Sequence, residues 1–312
     1  VITERKPQMA ENIEQKFKSG FITVIGKPNV GKSTMINSLI GEKVAITSPK
    51  PQTTRSNLRA VITERDYQMI FIDTPGIHTP KNKLGEYMVS TAAATFGEVD
   101  VIVMVCDATD RSLSQNDVRI IEKLKEIKNK PVFLVINKTD AVRKELLLEK
   151  IQIYAELYPF REIIPLSALK REGIEILRNA ILECLGEGPQ YFPGNITADT
   201  TMRTIVSEII REKILLNTND EVPHGTGIEI IQYKEPAKRG GVTSIEANIY
   251  CEKATHKGII IGKNGEKLKK IGTSARRDME RILGGQVNLK LWVKVKDDWR
   301  NSPGMLKELG FQ

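Results

Sequence analysis

The chain has 312 residues, 40% of them hydrophobic and 28% charged, which is ordinary for a globular protein and long enough to predict two domains. A formal net charge of +8 points to an anionic partner, either nucleic acid or an acidic membrane surface. Cys106, Cys184 and Cys251 are too scattered for a disulfide framework, three scattered histidines argue against a zinc site, no apolar run would span a bilayer, and the polar first twenty residues lack a secretory apolar region, so the cytoplasm is the expected compartment.

Taken along the chain, Phe21 to Ile25 reads as a buried strand and Thr34 to Ile40 as a short helix. Between them, Gly26-Lys27-Pro28-Asn29-Val30-Gly31-Lys32-Ser33 fits G-x-x-x-x-G-K-[ST], and Thr34 follows it. A strand, a glycine turn and a helix start aim successive N–H groups at a phosphate, where the helix dipole also favours negative charge. Lys32 is expected to reach the outer phosphates of a nucleoside triphosphate and the Ser33 hydroxyl to coordinate Mg²⁺.

Continuous apolar runs at Gln68 to Ile72, Asp100 to Val105 and Val132 to Ile136, with a shorter one at Ile163 to Leu166, predict strands of a parallel sheet covered on both faces. Helical patterns at Asn116 to Lys128 and Lys144 to Tyr158 lie between them, which indicates a doubly wound α/β domain. Asp73-Thr74-Pro75-Gly76 ends the second strand; the Asp is placed to hold the Mg²⁺ shell and the Gly76 N–H to report a γ-phosphate. In the interval before it, Gln52-Thr53-Thr54-Arg55 offers a loop Thr that adds a hydroxyl to the metal only with γ-phosphate present; Thr54 is favoured over Thr53, but the residues alone do not separate them.

Asn137-Lys138-Thr139-Asp140 follows the strand Val132 to Ile136. A carboxylate at Asp140 would accept from guanine N1–H and the exocyclic amine together, a pair of donors that adenine lacks, and so argues against a metabolic ATPase or kinase. Asn137 would bond the base and brace the loop, the Lys138 stem would lie along the ring, and Ser167-Ala168-Leu169 would offer a backbone N–H to guanine O6.

Gly186 to Asn195 breaks the pattern with glycines and prolines and reads as a linker, placed at 188–198. The remainder reads α-β-β-α-α-β: a helix near Met202 to Leu216, strands near Gly227 to Tyr233 and Thr243 to Tyr250, two helices, and a strand Val287 to Val295. Ile261-Gly262-Lys263-Asn264-Gly265 sits between the last two helices, and a G-x-x-G turn there lets the backbone approach a sugar-phosphate chain. On the following helix Leu268, Ile271, Ala275, Met279 and Ile282 recur at core spacing, while Lys267, Lys270, Arg277 and other basic residues fill the remainder and would neutralise phosphates. Lys290, Lys294 and Lys296 alternate with apolar residues on the last strand, so one face would pack and the other would be basic. Trp299, beside Arg300, is a candidate for stacking on a base and equally for a packing anchor.

In their order, the phosphate loop, loop Thr, Asp-Thr-Pro-Gly, Asn-Lys-x-Asp and Ser-Ala resemble the translation-factor-related GTPases, and the α-β-β-α-α-β unit resembles a type II KH domain. The pairing, with Pro51-Gln52-Thr53-Thr54-Arg55, Asp73 to His78, Glu208 to Lys213 and Glu221 to His224, resembles the Era GTPase family from about Lys18 onward. The resemblance implies a GTPase domain at 18–187 and a KH domain at 199–312, with residues 1–17 as an extension. It implies a monomeric GTP switch, with Mg²⁺, that binds single-stranded small-subunit (16S) rRNA near its 3′ end and assists 30S maturation. Where many GTPases carry a water-orienting Gln, this chain has Ile77 followed by His78, which implies slow turnover. GTPases with an Asn at the place of Asn29 use it to hold K⁺, which implies K⁺-stimulated hydrolysis. The alternative is a membrane-associated regulatory GTPase whose basic face and Trp299-Met305-Leu306-Leu309 segment meet anionic lipid; Asp297 and Asp298 argue against strong insertion.

Overall fold

The computed structural model describes residues 16–311, apart from positions 49, 51–52, 56, 78–79, 81, 96, 220–221, 237 and 239. The first domain is built on β1 (Lys18–Ile25), α1 (Lys32–Ile40), β2 (Leu58–Thr63), β3 (Tyr67–Asp73), α2 (Lys83–Ala94), β4 (Val101–Asp107), α3 (Gln115–Glu126), β5 (Val132–Asn137), α4 (Lys144–Leu157), β6 (Glu162–Pro165), α5 (Ile174–Cys184) and β7 (Ala198–Asp199). Its sheet runs β6-β5-β4-β1-β3-β2-β7, and β6, β5, β4, β1 and β3 are mutually parallel. The continuous apolar runs follow from this burial. Val101, Val103 and Val105 of β4 join the core on one face, and Ile102, Met104 and Cys106 join the core on the other. Strand order reverses at β1, so the crevice at its carboxyl end is where such a sheet receives a ligand.

The sheet is mostly parallel, as expected of a doubly wound domain, and two features mark its edge. β2 is an added antiparallel strand on β3, and the segment 188–198 is a strap along it. Gln68, fully buried within β3, exchanges two hydrogen bonds with the Phe192 backbone at 2.8 and 2.9 Å. The Val61 N–H donates to Thr197 O, and β7 then pairs with β2. The proline and glycine content that suggests a free linker here serves an edge that takes few ladder bonds.

The second domain comprises α6 (Met202–Asn217), β8 (Gly227–Lys234), β9 (Thr243–Cys251), α7 (Ala254–Ile261), α8 (Glu266–Leu283), β10 (Val287–Val295) and α9 (Pro303–Glu308). Its sheet runs β10-β9-β8, with β10 parallel and β8 antiparallel to the central β9. Ile271, Ala275 and Met279 of α8 face the core under it as their spacing predicts. Ile282 does not: it stays 41% exposed and lines a cavity between the domains.

Trp299 corrects a sequence-based expectation. It is fully buried, beside Leu84 and Met88 of α2 and Met305 and Leu306 of α9, and its Nε1–H donates to Gly225 O at 2.9 Å. A ring enclosed in this way cannot stack on a base; it anchors one domain to the other. The same packing hides Met305 and Leu306, the segment assigned to lipid in the alternative reading. Replacing Trp299 by Ala should destabilise the protein by about 3–5 kcal/mol in urea titrations, the usual cost of emptying a buried aromatic site. A loss below about 1 kcal/mol would show that the ring is not the anchor.

Candidate nucleotide site and nucleic-acid interface

The loop after β1 takes a shape that only its own residues permit. Gly31 has φ 96°, and a Cβ there would come within 2.3 Å of the Asn137 amide nitrogen. Asn29 adopts φ 67°, a left-handed value that Asn tolerates better than most residues. Lys32 is buried under the loop, donating to Gly26 O at 3.1 Å and Lys27 O at 3.2 Å, and burial pushes its pKa down to about 8. Lys27 pairs with Asp110 at 2.5 Å. Such an ammonium in a ring of carbonyls is poised for an anion of high charge density.

Ser33, Thr54 and Asp73 converge beside it. Ser33 Oγ donates to Asp73 Oδ2 at 2.7 Å, Thr54 Oγ1 donates to the same oxygen at 3.1 Å, and the two hydroxyls are 3.0 Å apart. Thr53 is turned away, its hydroxyl donating to Lys50 O at 2.7 Å. Asp73 is fully buried, its Oδ1 has no hydrogen-bond partner, and burial raises its pKa. Hard oxygen donors and a buried carboxylate oxygen without a partner fit a divalent cation such as Mg²⁺. On the far side, Thr74 Oγ1 donates to Val24 O, and Pro75 is buried. Gly76 approaches so closely that a Cβ there would meet Pro28 N at 2.8 Å. Ile77 is buried and its N–H donates to Gly26 O, so its side chain has no access to a water at the phosphates. Gln52 and His78 lie outside the described residues.

The Asn137 to Asp140 segment is tied to the phosphate loop by Asn137, which donates from Nδ2 to Val30 O at 2.7 Å and accepts from Ala168 N–H at 3.0 Å. Asp140 Oδ1 accepts from Ser167 Oγ at 2.6 Å, which fixes the carboxylate while leaving its residue exposed. Lys138, at φ 68°, pairs with Asp107 at 2.5 Å, and Leu169 is 78% exposed. Thr34 lines the same cleft.

Sequence reasoning did not assign the wall that α6 contributes. Glu212, Lys213 and Leu216 line the nucleotide cleft from the second domain. Glu212 Oε1 accepts from Thr47 N–H, and its Oε2 pairs with Lys43 at 2.7 Å and Lys213 at 2.8 Å. Burial alone would raise the Glu212 pKa; hydrogen bonds from Lys213, Lys43 and Thr47 instead hold it below the usual carboxylate range. Arg211 donates to Thr53 O. Arg55 leaves the cleft altogether. It is buried, donates to Thr226 O at 2.5 Å and His224 O at 2.9 Å, and lies 5.9 Å over the Trp299 ring; burial, then the neighbouring Arg211, pushes its pKa down to about 9. The available signal was the run Arg211-Glu212-Lys213, three successive charges in a helix that also carries a core face.

In the second domain Gly262 and Gly265 hold φ 74° and 78° around the exposed Lys263 and Asn264. Next to this turn, Gly265 and, on α8, Leu268 and Gly272 face Leu289 and Leu291 of β10 across a groove. Lys270 and Arg277 are exposed on α8, whereas Ile261 and Lys267 are half-buried. Arg300 is engaged in a bidentate pair with Glu252, at 2.9 and 2.5 Å.

This combination defines a nucleoside-triphosphate switch domain joined to a KH domain. Residues 21–138 match the family described as 50S ribosome-binding GTPase, and residues 221–300 match the KH domain family. The chain is 53% identical over 296 residues to GTPase Era of Ruminiclostridium cellulolyticum, covering 95% of this chain and 98% of that one. It is also 53% identical to GTPase Era of Clostridium novyi, over 95% and 99%. Era solved with MgGDPNP and nucleotides 1506–1542 of 16S ribosomal RNA superposes with a TM-score of 0.90 at 40% identity, covering 95% of this chain and 99% of that one. A single-residue variant of Aquifex aeolicus Era bound to GDP·AlF4⁻ gives the same values. The chain belongs to the Era family of GTPases.

If Asp140 reads guanine, Asp140→Asn should weaken GTP binding roughly 10- to 100-fold and shift preference toward xanthosine triphosphate, because a carboxylate acceptor pair is lost. Nucleotide competition assays check this, and an unchanged GTP preference would remove Asp140 from the base site.

Proposed function

We propose that the protein is a GTP-timed RNA-binding switch of the cytoplasm that holds the single-stranded 3′ end of small-subunit 16S rRNA and assists maturation of the 30S subunit. The observation that carries this reading is the grip of α6 on the loop bearing Thr54. Thr53 O, Thr47 N–H and Lys43 are all held by Arg211 and Glu212 of the RNA-binding domain. A hydroxyl that joins the metal only with γ-phosphate present therefore reports to the KH unit directly. The RNA partner is carried over from the similar Era complex, whose RNA is a 16S fragment. It is supported here by the glycine turn, the apolar groove and the basic residues on α8.

In turnover, the N–H groups of the loop 26–33 and Lys32 hold the phosphates in line for attack. Ser33, Thr54 and Asp73 would hold Mg²⁺, which neutralises charge on the β- and γ-oxygens when bound. Asp140 fixes the base. Ile77 cannot orient water, so the intrinsic reaction is slow. Asn29, beside the cleft in its left-handed conformation, is the residue to which we assign K⁺. A lipid-bound regulator is less well supported, since Trp299, Met305 and Leu306 are spent on the domain interface. Among the described residues no helix is long and apolar enough to cross a membrane.

RNA affinity in gel shifts should be roughly 5- to 150-fold higher with a GTP analogue than with GDP, the usual range for a coupling between two sites. Equal affinity in the two states would refute the switching claim. GTP hydrolysis should be faster in KCl than in NaCl at equal ionic strength; equal rates would take Asn29 out of the ion-binding role.

A further inference from the structure

The helix layer covers one face of the KH sheet, and the Trp299 cluster packs on the other at Tyr250, with Asn248 buried there, so that on this second face the exposed part is the β10 strip. Leu289, Leu291 and Val293 of β10 and Ile245, Ala247 and Ile249 of β9 point into the helix layer. Alternation then directs Asn288, Lys290, Trp292 and Lys294 to the opposite side. Trp292 is 41% exposed there, in contrast to the wholly buried Trp299. Lys290 and Lys294 flank it at two-residue spacing, each about 6.6 Å from it along the strand. The acidic groups of this face are already engaged: Glu246 pairs with Lys290 at 3.1 Å, and Glu229 accepts from Asn248 and Tyr250, both at 2.8 Å. Lys294 is exposed, with its charge near Glu229.

β10 is the edge strand of the sheet, and Asn288, Leu289 and Leu291 form one wall of the groove beside the Gly262–Gly265 turn. A strand of RNA leaving that groove over this edge meets Asn288 first and then the Lys290-Trp292-Lys294 row. An exposed indole between two ammonium groups offers a stacking platform with phosphate neutralisation on each side, which suits single-stranded nucleic acid of any base. An apolar protein partner is disfavoured by the lysines that bracket the ring.

We propose that the exposed β10 strip on this far face of the KH sheet is a second RNA subsite, in which Trp292 stacks on a base downstream of the groove and Lys290 and Lys294 hold its flanking phosphates. The proposal rests on the RNA-binding reading of the groove, and its test separates the two. The full-length protein with a GTP analogue is titrated with RNA from the 3′ end of small-subunit rRNA, cut either to about four nucleotides, enough for a KH groove, or to about twelve. Trp292→Ala and Lys294→Ala should each weaken the longer RNA roughly 5- to 20-fold and leave the shorter one unchanged. Iodide quenching gives a readout independent of substitution: the exposed Trp292 should be quenched in the free protein and shielded by the longer RNA alone. Equal loss for both lengths, no loss for either, or undiminished iodide quenching with the longer RNA bound would overturn the second subsite while leaving the groove intact. Failure of the unaltered protein to bind either RNA would overturn the groove reading and this subsite with it.

Discussion

The structure depends on how the loop between α1 and β2 is held. One side of it faces the phosphate site through Thr54, and the other is gripped by the second domain through Arg211, Glu212 and the burial of Arg55. These are buried charges with specific partners, and leaving one unpaired typically costs about 3–5 kcal/mol. The loop is therefore not free to drift. In the arrangement described the charges are satisfied, and one that separated them would leave them unpaired; that discreteness is what a switch needs. The same property makes the two domains one mechanical object. Thr54 adjoins Thr53, whose carbonyl accepts from Arg211 of α6.

Helix α8 extends this link toward the RNA side. It begins at the Gly262–Gly265 turn, and twelve residues along, about 18 Å at helical rise, Asp278 pairs with Lys213 and lies 3.7 Å from Lys43. Lys43, Glu212, Lys213 and Asp278, with Arg281 3.6 Å from Asp278, thus form a charge cluster with one member on the loop after α1 and others on α8, which begins at the Gly262–Gly265 turn. Arg55 over Trp299 makes a second connection, to α9 and the turn at 223–226. The fully buried Trp299 beside α2 closes the interface on the side of the segment that follows Gly76.

Much of this was legible in the sequence where chemistry is local. The phosphate loop demands glycine at Gly31 because Asn137 leaves no room for a Cβ, and the Gly262–Gly265 turn takes positive φ at Gly262, Asn264 and Gly265; both demands leave fixed spacings. Strands β3 to β5 announce themselves because both faces are buried. The edge of the sheet was not legible. β7 has two residues, and the strap at 188–198 is held by Gln68, a polar residue inside an apolar run that gives no hint of a partner more than a hundred positions away. The domain interface was equally hidden. Arg55, Arg211 and Glu212 pair across 158 to 169 positions, and charges on an amphipathic helix read as a solvated face unless a second surface is known to cover them. Trp299 was open to two readings, and burial on a neighbour distant in sequence decided between them.

The central claim is that the nucleotide loop and the RNA groove share one coupling energy carried by this grip. The most direct measurement is a thermodynamic square: GTP-analogue affinity with and without RNA, and RNA affinity with and without GTP analogue, in the unaltered protein and in the Arg55→Ala/Arg211→Ala double variant. In the unaltered protein each ligand should raise the affinity of the other by the same factor. In the double variant that factor should fall to about one, while RNA affinity in the GDP state stays within about twofold. A factor that survives the loss of both arginines would contradict the account.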